Sequence, residues 1–427
     1  MSHDTHRAAG PDPQDGTQPS TLLDRSDVRV KHAAGIGDTV AAFIDRVRSG
    51  DLGSLPVIVG LIIIWTVFTS LNPVFLSPSN LVNLLFDCST VGVISLGIVC
   101  VLMVGEIDLS VGSMSGFASA VVGVLWVNEG WPVLAAIVVA VVIGAVVGAI
   151  YALLLNRLGM PSFVSTLAGL LAILGMQLYA LGTNGSINLP YGSTMVNFGQ
   201  LMIIPPLVSH LLALLPGIAI VLLGWRTRQR RRAARLSAPS VGGLIGRGVA
   251  ITLFLEIVVA YLNRGRGVPL MFGLFLALAV AMDYALTRTR WGRSMNAVGG
   301  NREAARRAGI KVSAIYTSAF VLCASLAALG GVLTAARLAS ASQQAGTGDV
   351  NLNAIAAAVI GGTSLFGGRG SAWSAVLGII VIQSIASGLT LLNLSSSLRF
   401  MITGAVLAIA VIVDSLARQS RVSHGRA

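Results

Sequence analysis

Long apolar runs, broken by short polar ones, set the pattern of this chain. A helix needs about 20 apolar residues to cross the hydrocarbon core of a bilayer. Stretches near that length lie at 55–71, 81–104, 109–127, 133–155, 162–182, 201–223, 248–262, 268–287, 313–337, 353–366, 373–393 and 398–414. Two of them, 248–262 and 353–366, are short and read as tilted or re-entrant. The polar connections at 72–80, 128–132, 183–200, 263–267 and 338–352 leave no room for a soluble catalytic or ligand-capturing domain. The pattern predicts an all-α, polytopic transmembrane helix bundle over 51–415, with about twelve membrane segments, some of them broken or re-entrant. Ahead of it, residues 1–50 are rich in Asp, Pro, Gly, Gln and Ser and predict a mostly disordered tail. Within that tail, 37–48 reads either as an amphipathic helix with Val40, Phe43, Ile44 and Val47 on one side or as a partly ordered linker.

Composition agrees with the pattern. The 427 residues are 54% hydrophobic and 11% charged, with a mean hydropathy of +0.81. So few charges cannot clothe a soluble surface of this size. A net charge of +12 raises the question of nucleic acid. The basic residues, however, sit between apolar segments, which is the positive-inside pattern, so the partner they imply is membrane lipid and not nucleic acid. Arg226, Arg228, Arg230, Arg231, Arg232, Arg235 and Arg247 crowd one loop, 224–247, and Arg288, Arg290, Arg293, Arg302, Arg306, Arg307 and Lys311 a second, 288–312. With the basic tail at 416–427, these place both loops and both termini in the cytoplasm.

Reactive constellations do not appear. Cys88, Cys100 and Cys323 each lie alone in an apolar stretch and read as small core residues. No Gly-Lys pair occurs, so no phosphate-binding loop of the GxxxxGK[ST] type exists. Three of the five histidines fall in the first 32 residues, leaving no acid–base or metal cluster. The chain reads as a non-enzyme without a cofactor. Acids inside membrane segments are costly and mark function; here they are Asp87, Glu106, Asp108, Glu256 and Asp283, with His210 titratable beside them, and they form no proton-relay ladder. Gly144 and Gly148, at GxxxG spacing, and Gly330 and Gly331 predict close helix packing, within one subunit in preference to between subunits.

Three strings stand out. Gly105-Glu106-Ile107-Asp108-Leu109-Ser110-Val111-Gly112-Ser113-Met114 interrupts a long apolar region and predicts either a broken helix lining a cavity or a tight turn capped by Asp108 or Ser110. In the stretch 292–310, Asn301 is a good N-cap, Glu303 sits in the first turn, Arg306 and Arg307 in the last, and Gly309 at the C′ position. That is a short capped helix whose slim face, Ala304, Ala305 and Ala308, suits a groove on a partner, or else a solvated connector. In the third, small residues from Asn353 to Ile360 run into Gly361-Gly362-Thr363-Ser364-Leu365-Phe366-Gly367-Gly368-Arg369-Gly370-Ser371, which predicts a second discontinuous helix.

Together, GEIDLSVGSM, AVGGNREAARRAGI and LNAIAAAVIGGTSLFGGRGS resemble, in the same order, segments of the permeases of bacterial ATP-binding-cassette importers for ribose, galactose, arabinose and xylose. The insertion at 224–267 and PSFVSTLAGLLAILG at 161–175 are similar to the D-xylose branch, while the long N-terminal tail and the Arg-rich insertion depart from the pattern. The resemblance implies a homodimeric path in the bacterial inner membrane for D-xylose or a related sugar. It also implies an extracytoplasmic sugar-binding protein and a separate ATPase subunit, which in such importers often carries two fused nucleotide-binding domains. It places ATPase coupling on Gly300, Asn301, Glu303, Ala304, Ala305 and Gly309, and a translocation path near Asp87, Glu106, Asp108, Ser110, Ser113, Asn353, Thr363 and Ser364. The alternatives are an ion-coupled secondary sugar transporter and an importer permease for another small solute. The first would carry a basic signature between its second and third helices, where this chain has the acidic GEIDLSVG.

Overall fold

The computed structural model describes residues 55–395 and scattered positions between 397 and 412. The N-terminal tail with the segment at 37–48, most of the span at 398–414 and the basic C-terminal tail lie outside the described residues. The described chain is helical apart from its connections and two short strands. In order it runs α1 (Leu55–Leu71), α2 (Pro78–Met103), α3 (Val111–Gly123, continued by a π-helical turn, Val124–Asn128), α4 (Val133–Leu158), α5 (Ser162–Leu181), β1 (Ser186–Asn188), α6 (Thr194–Gln200), α7 (Pro206–Ala233), α8 (Val241–Asn263), α9 (Leu270–Arg288), α10 (Arg290–Gly300), α11 (Arg302–Arg307), α12 (Val312–Leu338), β2 (Ser340–Ser342), α13 (Val350–Ile360) and α14 (Ala372–Leu391). Strands β1 and β2 pair antiparallel, Ser186 opposite Ser342.

Among the described residues, nine helices are long and apolar enough to cross a membrane, and α1 and α13 are shorter apolar helices. That is fewer than the twelve expected, because 55–71 and 353–366 fall short and most of 398–414 lies outside the described residues; two segments also differ in length from their reading. The stretch 248–262 is longer than it looked, because α8 begins at Val241 through a run containing Gly242, Gly243 and Gly246 that lowers its apparent hydropathy. The stretch 353–366 is shorter, because α13 stops at Ile360 where Gly362, Gly367 and Gly368 turn the chain with positive φ. Eleven residues make about 16 Å of helix, roughly half the hydrocarbon thickness. Of the Arg-rich stretch 224–247, only 234–240 is non-helical, since α7 and α8 extend into it from both sides.

Packing divides the chain into two units, and among the described residues one is Ala213–Leu255 and the other is the remainder. In the larger unit, α12 is the hub, packing on α2, α3 and α4. Small residues allow this. Gly144 and Gly148 of α4 face the Ala324 and Phe320 carbonyls of α12, so the GxxxG pair works within the chain, as expected. Gly331 of α12 faces the Ser115 backbone of α3, and Gly330 faces Thr90 and Ile94 of α2. The opposite face of α4 is exposed and purely aliphatic, from Leu134 through Val138, Val142, Val146 and Ile150 to Leu153, as a lipid-facing stripe requires. Helix α1 docks on α14, where the Trp65 indole donates to Ser384 Oγ at 2.9 Å and the Phe68 ring covers Gly388. In the smaller unit, α7 and α8 cross closely at Gly217 and Gly248, with Gly224 against Leu244.

Candidate functional site

Two helices begin inside the larger unit and against each other, half-helices in that each takes up the chain after a break, although α3 with its π-helical turn is long enough to span and only α13 is short. Helix α2 ends at Met103, and Gly105, at φ +80°, turns the chain into an extended stretch. This stretch runs along the first turns of α5, where the Leu109 amide donates to Thr166 Oγ1 at 3.2 Å. Asp108 Oδ1 accepts from the Ser110 amide at 2.8 Å and from its hydroxyl at 2.7 Å, which fixes the start of α3. The second half-helix is built alike. After β2, residues 343–349 run irregularly to Asp349, and α13 starts at Val350. Ser110 and Asp349, at the two N-caps, share one backbone conformation, φ −93° and ψ −3°.

The Gly112 amide donates to the Asn351 side-chain oxygen, and Gly346 lies against the Gly112 carbonyl. Further up α3, Gly116 meets Ala345, and Gly123 meets Ala341. The partner number falls as the α3 number rises, so 341–351 descends antiparallel to α3. The two half-helices therefore diverge from a common point with their N-termini together. Both positive dipole ends point at the same place, in the arrangement that discontinuous membrane helices use to hold polar solutes.

Polar groups without partners gather around these helices. Among the described residues, Gln177 Oε1, Asn353 Oδ1, Thr363 Oγ1 and Ser95 Oγ are buried with no hydrogen-bond partner, while Asp108 has the Cys323 thiol beside it and the Tyr151 hydroxyl lies beside Ser110. Gln177 spends its amide nitrogen on the carbonyls of Ser342 and Ala345, at 3.0 and 2.9 Å, which leaves its oxygen beside Gly116. Each such orphan costs about 1–3 kcal/mol. The first two are amide acceptors, so what suits them is a donor.

The three strings singled out by sequence meet at one junction. The Gly368 amide donates to the Met103 carbonyl at 2.9 Å. A side chain on Gly299 would fall on that same carbonyl oxygen and on the Gly368 amide. One on Gly367 would lie 2.8 Å from the Gly299 carbonyl and 3.0 Å from the Gly105 backbone. Three backbones pass where only glycine fits.

The third party to this junction is an exposed helical pair. Helix α10 buries Gly292, Met295 and Val298 and is tied to α12 by the Trp291 indole, which donates to Ser318 Oγ at 2.8 Å. The chain breaks at Asn301, whose Oδ1 accepts from the Ala304 amide at 2.9 Å, and α11 follows with the expected caps. Gly309 closes it at φ +82°, and the Ile310 amide returns to the Ala305 carbonyl at 3.1 Å. Glu303 bonds Arg306 at 3.0 Å and Arg307 at 3.3 Å on the surface. Gly300, Ala304 and Ala308 are exposed, but Ala305 is buried against the protein's own body, so the outward face is narrower than the alanine pattern suggests.

The expected path residues are strung out instead of clustered. Asp108, Ser110 and Ser113 are buried at the start of α3, with Asn353 in the first turn of α13. Thr363 is buried in the glycine loop, and Ser364 shapes that loop by accepting from the Phe366 amide. Glu106 lies beside Tyr316, over whose ring Arg302 is stacked. Asp87 is elsewhere, sixteen residues and so about 24 Å from Met103 along α2. There it accepts from Arg337 Nε at 2.9 Å, while Asn83 accepts from Arg266 at 2.6 Å and both guanidinium groups cover the Phe86 ring. Glu256, costly in an apolar span, is paired: His210 Nδ1 lies 2.6 Å from its Oε2, and Asn263 holds the other ring nitrogen at 3.2 Å.

Sequence reasoning missed Gln177, Asn351, Arg266 and Arg337. Only Gln177 carried a signal, as the lone amide in the apolar run 167–181.

The family described as branched-chain amino acid transport system / permease component matches residues 80–411. The xylose transport system permease protein XylH of Escherichia coli K12 is 34% identical over 373 residues, which cover 87% of this chain and 94% of that protein. The XylH protein of Haemophilus influenzae is 32% identical, covering 87% of this chain and 98% of its own. The ribose import permease protein RbsC of Bacillus subtilis 168 is 33% identical, over 86% and 94%. No solved structure matches the chain.

Proposed function

Because the chain belongs to the permease-component family of branched-chain amino acid transport systems, we propose that it is the membrane-spanning subunit of an ATP-binding-cassette importer for a monosaccharide. The cargo is D-xylose or a related sugar, handed over by an extracytoplasmic binding protein at the bacterial inner membrane. Two copies form the path, and a separate ATPase subunit, with one or two nucleotide-binding domains per chain, docks on the exposed face of α11. The xylose and ribose permeases it resembles supply the cargo class.

The observation that carries this reading is the glycine junction. Helix α10 sits directly, through Gly299, on the Met103 end of α2 and on the loop after α13, and α11 follows it across the break at Asn301. A push on α11 by the partner reaches Gly299, and through it both chain crossings that contain half-helices. Packed backbones of this kind move as bodies and do not deform smoothly. Separation of the abutting N-termini at Gly112 and Asn351 then exposes Asp108 Oδ2, Gln177 Oε1 and Asn353 Oδ1 to the solute. A sugar presents several hydroxyl donors at once, and the two amide acceptors without donors, with the Asp108 carboxyl near them, match that chemistry. Weak, shared hydrogen bonds suit a carrier, which must release what it binds.

Reconstitution of the chain with its ATPase and binding protein in liposomes tests the reading. Asn353→Ala and Gln177→Leu should lower ATP-driven sugar uptake at least tenfold while ATPase co-purification stays intact. Unchanged uptake in both variants would remove the half-helix junction from the path.

A further inference from the structure

The hairpin Ala213–Leu255 carries none of the residues assigned above, and no acidic residue occurs within it. Helix α7 has 28 residues, about 42 Å of helix against about 30 Å of hydrocarbon. Its last turns therefore stand clear of the apolar core, and they hold the arginines. Arg226, Arg230, Arg232 and Arg235 are exposed there, joined by exposed Arg247 near the start of α8. None of these five forms an ion pair among the described residues. Arg228 and Arg231 do a different job, donating to the carbonyls of Pro239 and Ser237 and pinning the connection. Trp225, 45% exposed, marks the level where the apolar part ends.

One turn back from Arg226 lies a groove. It is open to the outside, about 320 Å³ in volume, and lined by Gly217, Val221 and Leu222 of α7 and Gly248, Val249 and Leu253 of α8. Its floor is low because two glycines face each other, with the Gly248 carbonyl 2.7 Å from where a side chain on Gly217 would begin. Arg247 precedes Gly248 directly, so cationic groups stand at one end of the groove on both helices.

A trough of hydrocarbon width ending in guanidinium groups fits an amphiphile with an anionic head. We propose that this hairpin binds an anionic phospholipid, one acyl chain in the groove and the phosphate among Arg226, Arg230 and Arg247. Topology alone requires positive charge on one side but no particular cation, and it requires no groove. The cations here are arginines, as almost throughout this chain, and the guanidinium group suits bidentate phosphate contacts. The occupant comes from the leaflet at the Arg-rich end of the hairpin, where it would steady a helix pair that has little packing of its own.

Native mass spectrometry of the full chain, stripped of lipid in detergent, provides the test, with phosphatidylglycerol, phosphatidylcholine and glycerol phosphate as probes. Phosphatidylglycerol should be retained at least tenfold better than phosphatidylcholine, and glycerol phosphate should not be retained. R226Q/R230Q should weaken phosphatidylglycerol binding about fivefold for each guanidinium removed. Val249→Phe, at an exposed position that fills the groove, should weaken it as well with every arginine present. Equal retention of the two lipids, or retention unchanged in Val249→Phe, would overturn the proposal. Retention of glycerol phosphate at lipid-like strength would overturn the acyl-chain half and leave only a phosphate cluster.

Discussion

Helices α2 and α7 have similar length, 26 and 28 residues, and similar hydropathy, yet the apolar window of α2 is 83% buried and that of α7 is 17% buried. The difference lies in which residues interrupt the aliphatic ones. Helix α2 carries Asn83, Asp87, Cys88, Ser89, Thr90, Gly92, Ser95, Gly97 and Cys100 along its length. In α7 the polar residues are pushed to the ends, Ser209 and His210 at one and the arginines at the other. In water the most apolar helix goes inside. In a bilayer the lipid is as apolar as any core, so the helix that goes inside is the one whose small and polar residues find partners.

The largest effect should come from breaking the interior at the glycine junction. Gly299→Val places a branched side chain on the Met103 carbonyl, and ATP-driven uptake should fall at least a hundredfold. A valine in place of the exposed Ile218 of α7 should leave uptake within twofold.

Next comes the contact with the partner. Glu303→Arg removes two exposed ion pairs whose own stability value is small, under about 1 kcal/mol. If α11 is the docking surface, co-purified ATPase should nevertheless drop about tenfold, and Ala304→Trp should do the same. Stability without loss of docking would assign α11 to a solvated connector.

A smaller effect separates the polar interior of α2 from its aliphatic neighbours. Arg337→Ala strips Asp87 of its partner, and since the Asp87 side chain is 46% exposed the cost should be only about 1–2 kcal/mol of thermal stability in detergent. Smallest of all, Leu215→Ala on exposed α7, outside the groove, should change stability by under about 0.5 kcal/mol.

The legible parts of this chain are those carried by local chemistry. The cap at Asn301, the stop at Gly309 and the break at Gly105 each follow from one residue's conformational preference, and each is found where it was read. The apolar runs located the helices but not their ends: α8 starts inside a glycine-rich stretch, and α7 continues through residues that looked like a loop. What could not be read is pairing over distance. Gly112 and Asn351 are 239 residues apart, and nothing near either one names the other. Asp87 and Arg337 are the same case. The three-residue strands β1 and β2 are too short to show a period. The glycine junction was half legible, since each of its three strings is conspicuous alone, but glycine says only that a backbone comes close, not which one.

On the function proposed above, this polypeptide opens a route through the bilayer and receives its drive from a nucleotide-hydrolysing partner seated on α11. The direct measurement is sugar accumulation in sealed liposomes holding the chain, with and without the ATPase and the binding protein, under ATP or under an imposed proton or sodium gradient. The account predicts accumulation only when ATP and both partners are present. Accumulation by the chain alone, driven by the ion gradient, would contradict it.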